Sequence, residues 1–270
     1  MDMNIFLYAI IFITGTVFGS FYTLAVYRIP KNIDIVKTHS YCPNCNHKLG
    51  FFELIPVLSY IFLGGKCKHC KQKIRPRYLI LEILSGISFI IIAQTLKINI
   101  NTLNIQNALI FLFSILYFTA IILIAGIDKE YRKIDRRVLA YGIIISIAYM
   151  IYLYTIEPTS IYRYAIYLAV YIILLSTDTF ILRKYATDSY IIDILMLLNM
   201  IFIVSDAEIF ILTVVMAIIA ILIYILLRKT LQKNVGNKKI KLREIPIGFY
   251  IGASNIIVLF MMTFITNYCI

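Results

Sequence analysis

The sequence predicts an all-α polytopic membrane protein of about eight transmembrane helices, with a small polar insertion after the first. Hydrophobic residues make up 61% of the chain and its mean hydropathy is +0.87, well above a soluble domain of this size. Apolar runs long enough to cross a hydrocarbon core of about 30 Å recur at 4–27, 79–96, 106–127, 138–156, 162–182, 189–205, 207–227 and 245–266. The basic residues are confined to a few loops: 24 of the 26 Lys and Arg lie between Arg28 and Arg77, between Lys129 and Arg137, at Arg183 and Lys184, and between Arg228 and Arg243. With eight spans these four loops share one face, which the positive-inside rule makes cytoplasmic, and both termini are then outside. A missed or invented helix would scatter the charges over both faces. Topology thus accounts for the net charge of +12 without a nucleic-acid partner.

The first helix, within 1–27, is too long and too weakly charged at its start for a cleavable signal, and is expected to be retained. Its Gly15, Gly19 and Ser20 form a small-xxx-small face suited to close helix packing. The segment 28–78 is the one polar stretch of domain-like length, read as a cytosolic metal-binding insertion. Residues 79–270 form a seven-helix membrane core, in which 228–244 is a basic cytosolic connection.

In the insertion, Cys42-Pro-Asn-Cys45 and Cys67-Lys-His-Cys70 are separated by twenty-one residues. Each CxxC turn presents two thiolates on one side, and two turns close a tetrahedral structural zinc site of the ribbon type. Two disulfides or a redox pair are the alternatives; a reducing cytosol and the lack of a strand-helix pattern argue against them. Four thiolates leave no open position, so zinc is expected to hold the loop's shape rather than catalyse. The only histidines, His39, His47 and His69, lie in the same segment, and a three-Cys, one-His set is the variant reading. Cys269 is assigned no role.

Acids at membrane spans cost about 2.5–3.5 kcal/mol each on insertion scales. Glu82, Asp128, Asp178, Asp188 and Asp193 all fall near the cytoplasmic boundary in this topology, at one shared depth. Two carboxylates a few ångströms apart cannot both ionise, and such a pair hydrolyses peptides: one takes a proton from water while the other polarises the scissile carbonyl. The plainer alternative for each acid is an interfacial ion pair with Arg132, Arg136, Arg137, Arg183 or Lys184.

Taken together, Gly19-Ser20-Phe21, Tyr27-Arg28-Ile29-Pro30, the two CxxC turns, Leu54-Ile55-Pro56, Leu58-Ser59-Tyr60, Gly65-Lys66-Cys67, Arg77-Tyr78 with Glu82, and Ile245-Pro246-Ile247-Gly248 with Gly252-Ala253 resemble the bacterial prepilin peptidases. The family's first catalytic aspartate follows an apolar helix in an Ile-Asp pair, here Ile127-Asp128. Its second sits in Gly-x-Gly-Asp. Register from Phe180 sets Asp193 there, within Tyr190-Ile191-Ile192-Asp193, with both glycines replaced and Leu195 where a Lys is usual. Asp188 is the rival. Other departures are Ile134-Asp135-Arg136 for the usual Ile-Pro-Asp or Ile-Pro-Asn, and Thr23 for Asn.

The resemblance implies a two-aspartate intramembrane protease of the inner membrane. It would cut the basic leader of type IV prepilins or pseudopilins at the cytoplasmic boundary. It also raises N-methylation of the new terminus with S-adenosylmethionine as a second activity, in the cysteine-bearing half. The lost glycines favour the competing class, a catalytically degenerate scaffold or pilus assembly factor. A transporter would show inverted-repeat hydropathy, which is not seen.

Overall fold

The computed structural model describes residues 3–156, 161–177, 190–232 and 244–268. The chain packs as two compact units, Met1–Ile115 and Leu116–Ile270. Among the described residues there is no β-strand, only the isolated bridges Tyr41–Lys48 and Lys66–Lys73.

The first unit is built on α1 (Met3–Arg28) and α3 (Arg77–Thr95), which pack along their lengths. The small-residue face makes this contact. A Cβ on Gly15 would lie 2.8 Å from the Gly86 Cα and the Ser85 carbonyl oxygen, and one on Gly19 would lie 2.8 Å from the Glu82 Cα. Backbones this close exclude any side chain, as dispersion-driven packing in lipid favours. Phe89 is fully buried, its ring 5.4 Å from that of Phe18. At the N-terminal end of α1, the Tyr8 hydroxyl donates to the Ile98 carbonyl at 2.9 Å and the Ile100 N–H to Asn4 at 3.1 Å.

Pro30 cannot continue a helix and α1 gives way to one 3-10 turn, Ile29–Lys31, closed by Asn32 at φ 56°. Arg28 is buried there. Its guanidinium donates to the carbonyls of Asp34, Ile35, Thr38 and His39, so a single side chain folds the start of the insertion. The short helix α2 (Leu58–Phe62) follows between the two cysteine turns, and Pro76 caps the return into α3.

The second unit receives the end of α4 (Ile105–Tyr131) and contains α5 (Arg136–Ile156), α6 (Ile161–Ser176), α7 (Tyr190–Val204), α8 (Ala207–Gln232) and α9 (Ile247–Tyr268). Helix α7 is the centre of this unit. It packs against α5, α6, α8 and α9, and its Leu197, Met200 and Ile201 are fully buried. A polar chain ties three helices: Tyr117 donates to Asn255 at 2.9 Å, and Asn255 to Thr213 at 3.3 Å.

Among the described residues five helices are long and apolar enough to cross a membrane: those at Met3–Lys31, Arg77–Thr95, Ile105–Tyr131, Arg136–Ile156 and Ala207–Thr230. The other three apolar runs appear as shorter stretches, Tyr164–Ser176, Tyr190–Val204 and Ile247–Met262. At 1.5 Å per residue, the 15 residues of α7 reach only about 22 Å, short of a full hydrocarbon core. Helix α7 packs against four other helices of its unit, while Ile191 and Leu195 stay exposed.

Candidate active site and metal centre

In the first unit the two cysteine turns repeat one backbone pattern. Cys42 donates its N–H to the His47 carbonyl and Cys67 to that of Gln72, both at 2.9 Å. The Asn46 N–H returns to the Cys42 carbonyl and the Lys71 N–H to that of Cys67. Asn46 and Lys71 both take left-handed conformations, at φ 55° and 57°. Each turn thereby points two sulfurs and several N–H groups at one centre.

The Cys42 and Cys70 sulfurs lie 3.8 Å apart, and all four sulfurs lie within 4.8 Å of one another. A tetrahedron of Zn–S bonds near 2.3 Å requires a sulfur spacing of about 3.8 Å, so the donor set fits a zinc-sized ion. The backbone supports thiolate here. N–H groups of Asn44 and Cys45 hold the Cys42 thiol below its ordinary range, and the Gln72 N–H with the Asn44 side chain brings Cys70 down to about 6. Against the pull of the His47 N–H, desolvation and its hydrogen bonds with Cys70, Cys42 and Cys67 push Cys45 up to about 11. A divalent cation replaces that retained proton. The histidines stand beside this centre: His47 and His69 stack at 3.9 Å, and His47 faces Glu53 at 3.4 Å.

The second unit gathers the acidic site. Asp128, in the last turn of α4, is fully buried. Its carboxylate meets the Tyr190 hydroxyl at 2.9 Å (Oδ1) and 3.0 Å (Oδ2), and Oδ2 accepts the Phe249 N–H at 3.1 Å. Phe249 is the third residue of α9, so Asp128 caps the N-terminus of another helix, where unpaired N–H groups and the helix dipole favour an anion. Gly248 makes the approach open: a Cβ there would sit 3.2 Å from Oδ2. Tyr190 also accepts the Ile247 N–H at 3.1 Å, which joins α4, α7 and the start of α9 in one network.

Asp193 lies one turn after Tyr190 in α7, on the same helical face, and is 6% exposed. Its Oδ1 is 3.5 Å from the Nε of Arg136, the first residue of α5. Asp135 has a structural partner instead. It caps α5 by accepting the Arg137 N–H at 3.0 Å and pairs with the same residue's guanidinium at 2.9 Å. Burial would raise its pKa, but the Arg137 bonds and charge outweigh it and hold the carboxyl below the usual range. In the first unit, Glu82 accepts the Val57 N–H at 2.7 Å. Asp178 and the rival Asp188 lie outside the described residues. Sequence reasoning named Tyr190 only as an occupant of a glycine position; no local signal marks it as a partner of Asp128.

Residues 13–96 match the family model described as the Bacterial Peptidase A24 N-terminal domain. The chain is 39% identical over 97 residues to the prepilin leader peptidase/N-methyltransferase of Vibrio cholerae serotype O1, covering 33% of this chain and 37% of that protein. To the protein of that description from Bacillus subtilis (strain 168) it is 34% identical over 133 residues, covering 49% and 50%. To the one from Klebsiella pneumoniae it is 32% identical over 87 residues, covering 30% and 38%. The matched stretches thus span half or less of these relatives' own length. No solved structure matches.

Proposed function

From the match of residues 13–96 to the peptidase A24 N-terminal domain and the likeness to prepilin leader peptidases, we propose that the chain is a prepilin peptidase that cleaves the basic leader of type IV prepilins or pseudopilins with Asp128 and Asp193. The observation that carries this reading is a fully buried carboxylate at the end of α4, Asp128, contacted by Tyr190 of α7, with a second buried acid, Asp193, one turn after Tyr190 in α7. One carboxyl takes a proton from the attacking water, the other holds its proton against the scissile carbonyl, and the two exchange roles as the amine leaves. A substrate helix lying in the bilayer brings its scissile bond to the membrane boundary, at the depth inferred for both acids from the charge topology. On that topology the site and the cysteine insertion, 28–78, are cytoplasmic and the protein resides in the inner membrane.

Zinc on Cys42, Cys45, Cys67 and Cys70 fixes the insertion and takes no part in hydrolysis. N-methylation of the product with S-adenosylmethionine is a second proposed activity, resting on the relatives' description. The competing reading is a scaffold that has lost catalysis. The Arg136 contact to Asp193 is the observation in its favour.

Membranes containing the protein are incubated with a prepilin and leader loss is followed by electrophoresis and mass. Cleavage by the parent, abolished in Asp128→Ala and Asp193→Ala, supports the peptidase. An inactive parent supports the scaffold. Activity that survives Asp193→Ala and fails in Asp188→Ala moves the second role to Asp188.

A further inference from the structure

Large apolar side chains exposed outside membrane-spanning helices mark an interaction surface. Between α1 and α3, Phe51 is 78% exposed, Phe52 80%, Leu58 50%, Ile61 61% and Phe62 81%. At 100° per residue, Leu58, Ile61 and Phe62 fall on one face of α2, with Tyr60 on the opposite face. Tyr60 is the anchor. Its ring lies 2.9 Å from where a Gly65 Cβ would stand, and its hydroxyl donates to the Ile74 carbonyl at 3.4 Å. Just before the helix, the Val57 N–H is held by Glu82 of α3, and Val57 takes φ 63°, a strained backbone for a β-branched residue. Helix α2 is therefore fastened through its other side to the second cysteine turn, with its apolar face turned outward.

The same segment is strongly basic. Residues 28–77 carry ten Lys and Arg against two carboxylates, Asp34 and Glu53, and Lys66, Lys68, Lys71 and Lys73 are exposed. We propose that this face docks on the bilayer surface from which α1 and α3 emerge, with Phe51, Phe52 and the α2 face entering the headgroup-acyl boundary and the lysines meeting anionic headgroups. Two features select lipid over a protein partner. Both ends of the segment are held by helices that span the membrane, so it stays beside that surface. The cationic excess complements acidic lipid. This docking is independent of the peptidase reading.

The chain contains no tryptophan, so one introduced indole is a clean reporter. Full-length Phe52→Trp and Phe62→Trp are reconstituted into vesicles with or without anionic lipid, using acyl chains brominated near the headgroup. Docking at a depth of about 5–10 Å gives a blue-shifted emission, quenched about twofold or more by the brominated chains and shielded from aqueous acrylamide. Both effects are expected to weaken in zwitterionic vesicles at high salt. Leu58→Trp reads the same face if either variant loses helical circular dichroism. A water-exposed indole in both lipid compositions overturns the proposal. So does shielding that appears only as the protein-to-lipid ratio rises or only when prepilin is added, which assigns the face to a second copy or to substrate.

Discussion

The Tyr190 hydroxyl rests on the Asp128 carboxylate, within 3.0 Å of both oxygens, although 62 residues separate them in the chain. On the proposed reading it positions Asp128, a role that phenylalanine cannot fill. A hydrogen bond to a charged group is worth about 1.5–3 kcal/mol. Tyr190→Phe is expected to lower kcat by roughly 10- to 100-fold with KM little changed, and Asp128→Asn to lower it by about 10²–10⁴-fold. Steady-state cleavage of a prepilin checks both. A rise in kcat for Tyr190→Phe would show that the hydroxyl obstructs the carboxylate.

Gly248→Ala sets a methyl group 3.2 Å from Asp128 Oδ2 and 3.3 Å from Ile134. The start of α9 must then withdraw, and the 3.1 Å bond from the Phe249 N–H lengthens. Cleavage is expected to fall while the melting temperature in detergent changes by only a few degrees, since one crowded methyl costs about 1–3 kcal/mol.

Asp135 is held ionised by Arg137, so its folded carboxyl titrates below its unfolded value. Its stabilisation is complete at pH above the ordinary carboxylate range and is lost as pH falls through the depressed value. Asp135→Ala removes the cap of α5 and is expected to cost about 1 kcal/mol at neutral pH. The difference from the parent should vanish in acid, which thermal melts across pH will show.

One zinc per chain is expected by elemental analysis, falling to background in Cys42→Ser/Cys70→Ser. Because ligation displaces protons from the sulfurs, zinc should leave as the solution is acidified. Metal-free protein should be cut by added protease within 28–76 while the helices on either side stay protected.

Gly19→Val directs a side chain at backbone only 2.8 Å away, the Glu82 Cα, which a rotamer change cannot relieve. Separation of α1 from α3 is expected, with a large drop in melting temperature in detergent. Alanine at Gly64, where no atom beyond the chain neighbours lies within 4 Å of an added Cβ, meets no packing clash and carries only the backbone cost of φ +58°.

The membrane class and the four-cysteine set were legible from sequence by itself, because both are local patterns. A span announces itself as an unbroken apolar run, and a CxxC turn brings its two sulfurs together within four residues. The Gly15 and Gly19 face was legible for the same reason, since helical periodicity alone puts both on one side. Asp128 stood out as an acid closing an apolar run, and Asp193 only by register. What surrounds them was decided by tertiary structure. Tyr190 lies 62 residues from Asp128, and the Phe249 N–H that Asp128 caps lies 121 residues away. The pairing of Asp193 with Arg136 likewise depends on how α5 meets α7. Periodicity assigns each residue a face of its own helix, but which faces meet, and at what height, follows from packing whole helices against one another.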